Sequence, residues 1–78
     1  MKKMSKIYEE KEVIVRTSLK ELLQDIDTGI VDVYYKAETN PLREEVNIIF
    51  KGGAKKSIDV TCDGLYGIAK DVVNKLYN

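Results

Sequence analysis

The chain is 78 residues long and 33% charged, with thirteen Lys and Arg set against thirteen Asp and Glu, so its formal net charge is zero. It has no histidine, and Cys62 is its single cysteine. That excludes an internal disulfide, an imidazole metal site and any His-dependent triad, and it disfavours nonspecific binding to nucleic acid or membrane surfaces.

At 44% hydrophobic residues the chain can build a core. A core in a domain below about 80 residues contributes only a few kcal/mol, which raises the expectation of self-association or a partner. The apolar runs Val13-Ile14-Val15 and Ile48-Ile49-Phe50 are far short of the roughly 20 residues that span a bilayer. The opening Met1 to Lys6 is basic but lacks an apolar stretch after it, so no secretory signal is read and a cytoplasmic location is expected. Lysine outnumbers arginine, and Ile, Asn and Tyr are frequent, a bias of AT-rich coding that points to a bacterial or phage source.

In chain order, residues 1–11 read as a polar arm, followed by one α+β domain over residues 12–78. Glu12 to Arg16 reads as a short strand because Val13, Ile14 and Val15 are β-branched. Ser18 and Glu21 form a capping box, and Leu19, Leu22, Leu23 and Ile26 recur at helical spacing, with Gly29 as a left-handed stop. Ile30 to Ala37 alternates, with Val31, Val33 and Tyr35 on one face and Asp32, Tyr34 and Lys36 on the other. Asn40-Pro41 marks a turn. Glu45 to Lys51 and Lys55 to Thr61 form two further strands around a hairpin at Gly52-Gly53. Leu65, Ile68, Ala69, Val72, Val73 and Leu76 make the apolar stripe of a last helix, capped by Asp63 or Thr61.

The order β-α-β-β-β-α predicts an α+β two-layer sandwich: an antiparallel sheet of three to four strands with both helices on one face. The other face stays open to water. On it Ile30, Tyr34 and Ile49 form an apolar patch of the kind found at interface centres, and a homodimer through this face is expected.

Several chemical motifs are refused. Asp27-Thr28-Gly29 matches the catalytic triplet of aspartic proteases, but it ends a predicted helix and is flanked by the wrong residues. Counting an EF-hand loop from Asp25 places Ile30 and Lys36 where glycine and glutamate are needed. Cys62 has no histidine to activate it and has Asp63 as neighbour, so a structural role is expected. No catalytic residue, metal or cofactor is assigned.

Two charged surfaces remain. Residues 21–45 carry seven acidic and two basic groups, whereas residues 1–20 carry three and six, and residues 46–78 carry three and five. Asp25, Asp27, Glu38, Glu44 and Glu45 are read as an acidic surface for a basic protein partner. Lys51, Lys55 and Lys56 surround the glycine hairpin and are the candidate residues for a nucleic-acid contact, the alternative reading. The order helix, three strands, helix is also that of double-stranded RNA-binding domains, yet Asp63 to Gly67 stands where their lysine cluster would be. The sequence therefore suggests a non-catalytic protein-interaction module, of a size that suits a small phage or mobile-element regulator or inhibitor.

Overall fold

The computed structural model describes residues 6–77. A long N-terminal helix is built from α1 (Lys6–Ile14), a single π-helical turn (Val15–Leu19) and α2 (Lys20–Ile26). Strands β1 (Ile30–Thr39), β2 (Leu42–Phe50) and β3 (Lys55–Asp59) form an antiparallel sheet in the order β1-β2-β3, and α3 (Leu65–Tyr77) closes the chain. The fold is therefore α-β-β-β-α.

The expected strand at Glu12 to Arg16 is helix. Ile14, Leu19 and Lys20 all hold right-handed helical backbone angles, so the chain does not break at Ser18 and no capping box forms. Propensity scales separate β-branched residues from good helix formers by only about 0.7 kcal/mol or less each. That is too little to resist a packed stripe. Lys11, Val15, Leu19 and Leu23 are spaced four apart, and all four are buried. In a pure α-helix such spacing drifts by about 40° per step. The wider π turn takes up that drift and keeps the stripe on the core. There the Thr17 hydroxyl donates to the Val13 carbonyl at 2.6 Å, one turn back along the helix. Of the expected polar arm, residues 1–5 lie outside the described residues, and Lys6 to Lys11 form the first turns of α1.

The helix stop also differs. Gly29 does not adopt a left-handed angle; the chain instead leaves the helix at Asp27, which is extended (φ −135°, ψ 104°). The Asp27 carboxylate accepts the Gly29 amide at 2.8 Å, and the Asp27 carbonyl accepts that of Ile30 at 3.2 Å. This side-chain turn explains why an aspartate sits at a helix C-terminus that electrostatically disfavours it.

β1 and β2 pair from Thr39↔Leu42 to Ile30↔Phe50 across the turn at Asn40-Pro41, with a bulge between Ile30 and Asp32. The bulge changes the parity of the strand's first residues. Ile30 thus turns into the core at 2% exposure, while Val31, expected inside, is exposed. From Val33 onward the alternation holds. Val33, Tyr35, Val46, Ile48 and Ile58 share one face and cluster with Val15, Leu19 and Leu23 of the N-terminal helix and Ile68 and Val72 of α3. At the β3 hairpin both Gly52 and Gly53 take positive φ, which glycine alone adopts freely. β3 stops at Asp59 rather than Thr61 because the Asp59 carboxylate accepts both the Thr61 amide and its hydroxyl, turning the chain away.

Into this apolar core a charged group intrudes. Glu44, assigned from sequence to an acidic surface, is 1% exposed. Its carboxylate accepts the Lys11 ammonium at 2.6 Å, the Tyr35 hydroxyl at 2.5 Å and the Cys62 amide at 2.8 Å. Burial pushes the Glu44 carboxyl up, but these donors outweigh it and hold the group below its ordinary value of 4.5. The Tyr35 hydroxyl is driven far upward by burial and by the adjacent carboxylate. Glu44 in this way joins the N-terminal helix, the sheet and the turn that leads into α3.

Removing one partner of a buried ion pair strands the other in a medium that solvates it poorly. Glu44→Ala is expected to cost about 3–5 kcal/mol in urea unfolding at pH 7, and Tyr35→Phe about 1.5–3 kcal/mol. A Glu44→Ala midpoint within error of wild type would show that water reaches the site.

Candidate functional site

Four surfaces were singled out as candidates, by the sequence or by the shape of the molecule. The open sheet face loses Ile30 to the core. What remains is Tyr34 and Ile49, both half-buried, at the registers Tyr34↔Asn47 and Asp32↔Ile49. Between them Asn47 is buried and accepts the Ser57 hydroxyl at 2.6 Å. The Lys55 ammonium stands 6.0 Å from the Tyr34 ring centroid, at the outer limit of a cation–π contact. This face is a mixed polar surface with one shielded amide, not an apolar patch.

The acidic residues do not form one surface. Glu44 is internal. Asp27 makes the turn after α2, whereas Glu38 pairs with Arg43 at the far end of β1. Eight strand residues separate Ile30 from Glu38, about 26 Å at the rise of a β-strand. Glu45, half-buried, lies opposite Lys36, and Asp25 is exposed on α2. The seven-to-two acidic excess in sequence is thus spread along the molecule and partly neutralised locally.

The lysines are divided as well. Lys55 and Lys56 are consecutive strand residues and point to opposite faces. Lys55 lies over Tyr34, while the Lys56 ammonium donates to the Lys75 carbonyl at 3.2 Å, near the C-terminal end of α3. A cation there complements the helix dipole. Lys51 is exposed at the hairpin, where its amide donates to the Gly29 carbonyl at 2.7 Å. Among the described residues, neither the apolar cleft beside α1 nor the polar cleft on the sheet is lined by any of the three lysines.

Cys62 is exposed and adopts φ 66°, a left-handed angle uncommon for a residue with a side chain. That angle aims its amide at Glu44. The residue thus acts through its backbone, in a turn where the Asp63 amide also donates to the Val60 carbonyl at 3.0 Å. The first helical bond of α3 runs from the Ile68 amide to the Gly64 carbonyl, one residue beyond the expected cap at Asp63.

Asp63 is placed differently from what its position suggests. One carboxylate oxygen is buried without a hydrogen-bond partner among the described residues, and the side chain packs on Gly67, where an added Cβ would lie 3.3 Å away. Hydrogen bonding with the Asp71 carboxyl, then burial, then the charges of Asp71, Glu44 and Asp59 raise its pKa. A carboxyl pair that shares a proton is the arrangement acid–base enzymes use. Here, however, neither the cleft beside α1 nor the polar cleft on the sheet is lined by Asp63 or Asp71. Among the described residues no group of His, Cys, Asp and Glu could hold a metal ion, and no helix is long and apolar enough to cross a membrane.

The surface that sequence reasoning missed lies on α1. Val13, Ile14 and Leu65 line an apolar cleft between α1 and the start of α3, rimmed by Lys6, Glu9 and Glu10. Tyr66, next to Leu65, is 81% exposed. Among the described residues of α1, the one buried outright is a lysine, while Ile7, Val13 and Ile14 are exposed. The signal was present as two apolar stripes on one helix, but it becomes visible only once residues 6–26 are known to be helical throughout.

Two carboxylates give stability opposite pH dependences. The Asp63 pKa is raised in the fold, so its penalty is fully present above that folded value and is relieved as pH falls toward 3.8. The Glu44 pKa is lowered, so its contribution holds above 4.5 and is lost as pH falls through the folded value. The melting temperature is expected to peak in mildly acidic solution. Asp71→Asn, which removes the like charge, should raise melting at pH 7 and flatten the neutral side of the curve. An Asp71→Asn profile parallel to wild type would show that Asp71 is not what raises the Asp63 carboxyl.

No protein-family model matches the chain, and neither a curated protein nor a solved structure resembles it closely.

Proposed function

We propose that this chain is a non-catalytic protein-interaction module whose binding surface is the cleft between α1 and the start of α3. The observation that carries this reading is the apolar wall of that cleft, where Val13, Ile14 and Leu65 are all exposed, with the 81% exposed Tyr66 following Leu65 in the chain. An aromatic ring left in water costs favourable burial, and aromatic anchors ringed by polar groups are the usual centre of a protein interface. Lys6, Glu9 and Glu10 supply such a rim. An apolar cleft along a helix suits a partner helix that presents its own apolar stripe. A small regulator or inhibitor, of the kind phages and mobile elements encode, would work through a surface of this sort.

The lysine-hairpin alternative draws less support, because Lys55 and Lys56 leave opposite faces of the sheet and Lys56 is engaged by α3. A photo-crosslinking residue in place of Tyr66 tests the proposal in the native cell, with the same substitution at exposed Glu38 as control. Discrete protein adducts from position 66 alone are expected. Adducts to nucleic acid, or equal labelling from both positions, would overturn it.

A further inference from the structure

We propose that β3 is the docking edge for a second copy of this chain, whose own β3 pairs with it antiparallel about a two-fold axis at Ser57. The edge is separate from the α1 cleft, since no residue that lines that cleft lies on β3.

β3 is an outer strand of the sheet, and Lys55, Lys56, Ser57 and Asp59 are all exposed. Two backbone bonds bracket the strand and fix its phase. The Phe50 amide donates to the Ala54 carbonyl at 2.8 Å, and the Val60 amide donates to the Glu44 carbonyl at 2.9 Å. In an antiparallel ladder the backbone groups of successive residues turn to opposite sides. Residues 54, 56, 58 and 60 therefore face β2, and the amides and carbonyls of Lys55, Ser57 and Asp59 point away from it. An outer strand in this state is a template for another strand.

The side chains choose which strand. With the axis at Ser57, that serine meets its own copy, and Lys55 meets Asp59 of the other chain, twice over by symmetry. Every outward residue then faces an outward residue, so each of these pairs exchanges two backbone bonds. Lys55, Ser57 and Asp59 also share the open face of the sheet, which sets each lysine directly across from a carboxylate. Moving the axis to residue 56 opposes Lys56 to itself. Moving it to residue 58 leaves neither Lys55 nor Asp59 opposite a charge.

The neighbouring charges fit the same register. Within the chain Asp59 lies directly opposite Glu45, a like-charge pair that the charges of Arg43 and Lys75 offset in part. The second copy's Lys55 adds a cation in line with that pair. Asp59 makes both of its turn bonds through Oδ1, so Oδ2 can receive a lysine without opening the turn. Lys55 gives up only a Tyr34 ring contact at 6.0 Å, the outer limit of such contacts. On the helix-covered face Lys56 meets Ile58 of the other copy. The two Lys56 side chains lie diagonally across the axis, each ammonium held by the Lys75 carbonyl of its own chain. A strand of five residues is small against the roughly 800 Å² that each partner gives a stable interface, so the dimer is a weak one.

The test is sedimentation equilibrium of the full chain up to roughly 1 mM, with circular dichroism to confirm that each variant is folded. The wild type is expected to show a monomer–dimer equilibrium. Lys55→Glu and Asp59→Lys should each weaken association at least about tenfold, since each opposes like charges twice. Mixed in equal amounts, the two variants should associate about as well as the wild type, because a dimer of one with the other again opposes unlike charges at both ends. Ser57→Pro removes an outward amide and none of the backbone bonds to β2, and is expected to abolish the dimer while leaving a folded monomer. That variant keeps the test decisive if Asp59→Lys loses its turn. A wild type still monomeric at roughly 1 mM, or an undiminished dimer in Lys55→Glu or Ser57→Pro, would overturn the proposal. So would a mixture of folded variants without recovery, or an open series of oligomers, the mark of β3 pairing head to tail with β1.

Discussion

The fold depends on one buried carboxylate. Glu44 lies near the start of β2, the central strand, where its neighbours in sequence give no warning that it is inside. Three donors from three parts of the chain converge on it: Lys11 from the N-terminal helix, Tyr35 from β1 and the Cys62 amide from the turn before α3. Its backbone is engaged as well, its amide donating to the Thr61 hydroxyl and its carbonyl accepting the Val60 amide. Apolar packing is non-directional and would tolerate small slips of a helix along a sheet. A carboxylate with three donors does not. It requires Lys11 at one height and Cys62 in a left-handed turn, and those two requirements position α1 and α3 on the sheet.

From that constraint the other irregularities follow. With Lys11 tied to Glu44, the stripe Lys11, Val15, Leu19 and Leu23 must stay over β1, and a helix with residues spaced four apart does so only by widening once. The π turn is that widening. It has a second consequence on the outer side, where it brings Leu22 and Ile26 into line with Ile7 and Ile14. A correction made for the core thereby creates a continuous apolar face in water. At the other end of the sheet the β1 bulge draws Ile30 inward and leaves Val31 out, and the Asp32 carboxylate accepts the Val33 amide at 2.9 Å while facing Lys20 at 3.4 Å.

Much of the sheet was legible before the structure. The alternation from Val33 to Tyr35 and from Val46 to Ile48, the two turns, and the Ile68 to Leu76 stripe each follow from the local period of apolar residues. The N-terminal half was not. Val13-Ile14-Val15 has the local composition of a strand, and Ser18 with Glu21 has that of a helix start, yet both lie within one helix. The candidate sites suffered from the same limit. Ile30 was assigned outward by counting parity through a bulge that cannot be seen in a sequence, and Glu44 was grouped with exposed acids because charge alone does not reveal three donors brought from 33, 9 and 18 residues away. The α1 cleft needs Leu65 beside Ile14, a contact between distant segments.

By itself, then, the sequence determined what depends on neighbours: an α+β chain with a three-stranded antiparallel meander, its hairpins, and a closing amphipathic helix. Periodicity of two or near four residues is a local property, and it survives in any context that offers a core. The tertiary structure decided whatever depends on partners far along the chain. It made residues 12–16 helix, put Glu44 inside, turned Ile30 away from the open face and scattered the acidic and lysine groups that adjacency in sequence had suggested were patches. The physical reason is that local preferences differ by tenths of a kcal/mol, while burying an apolar stripe or satisfying an internal charge is worth several.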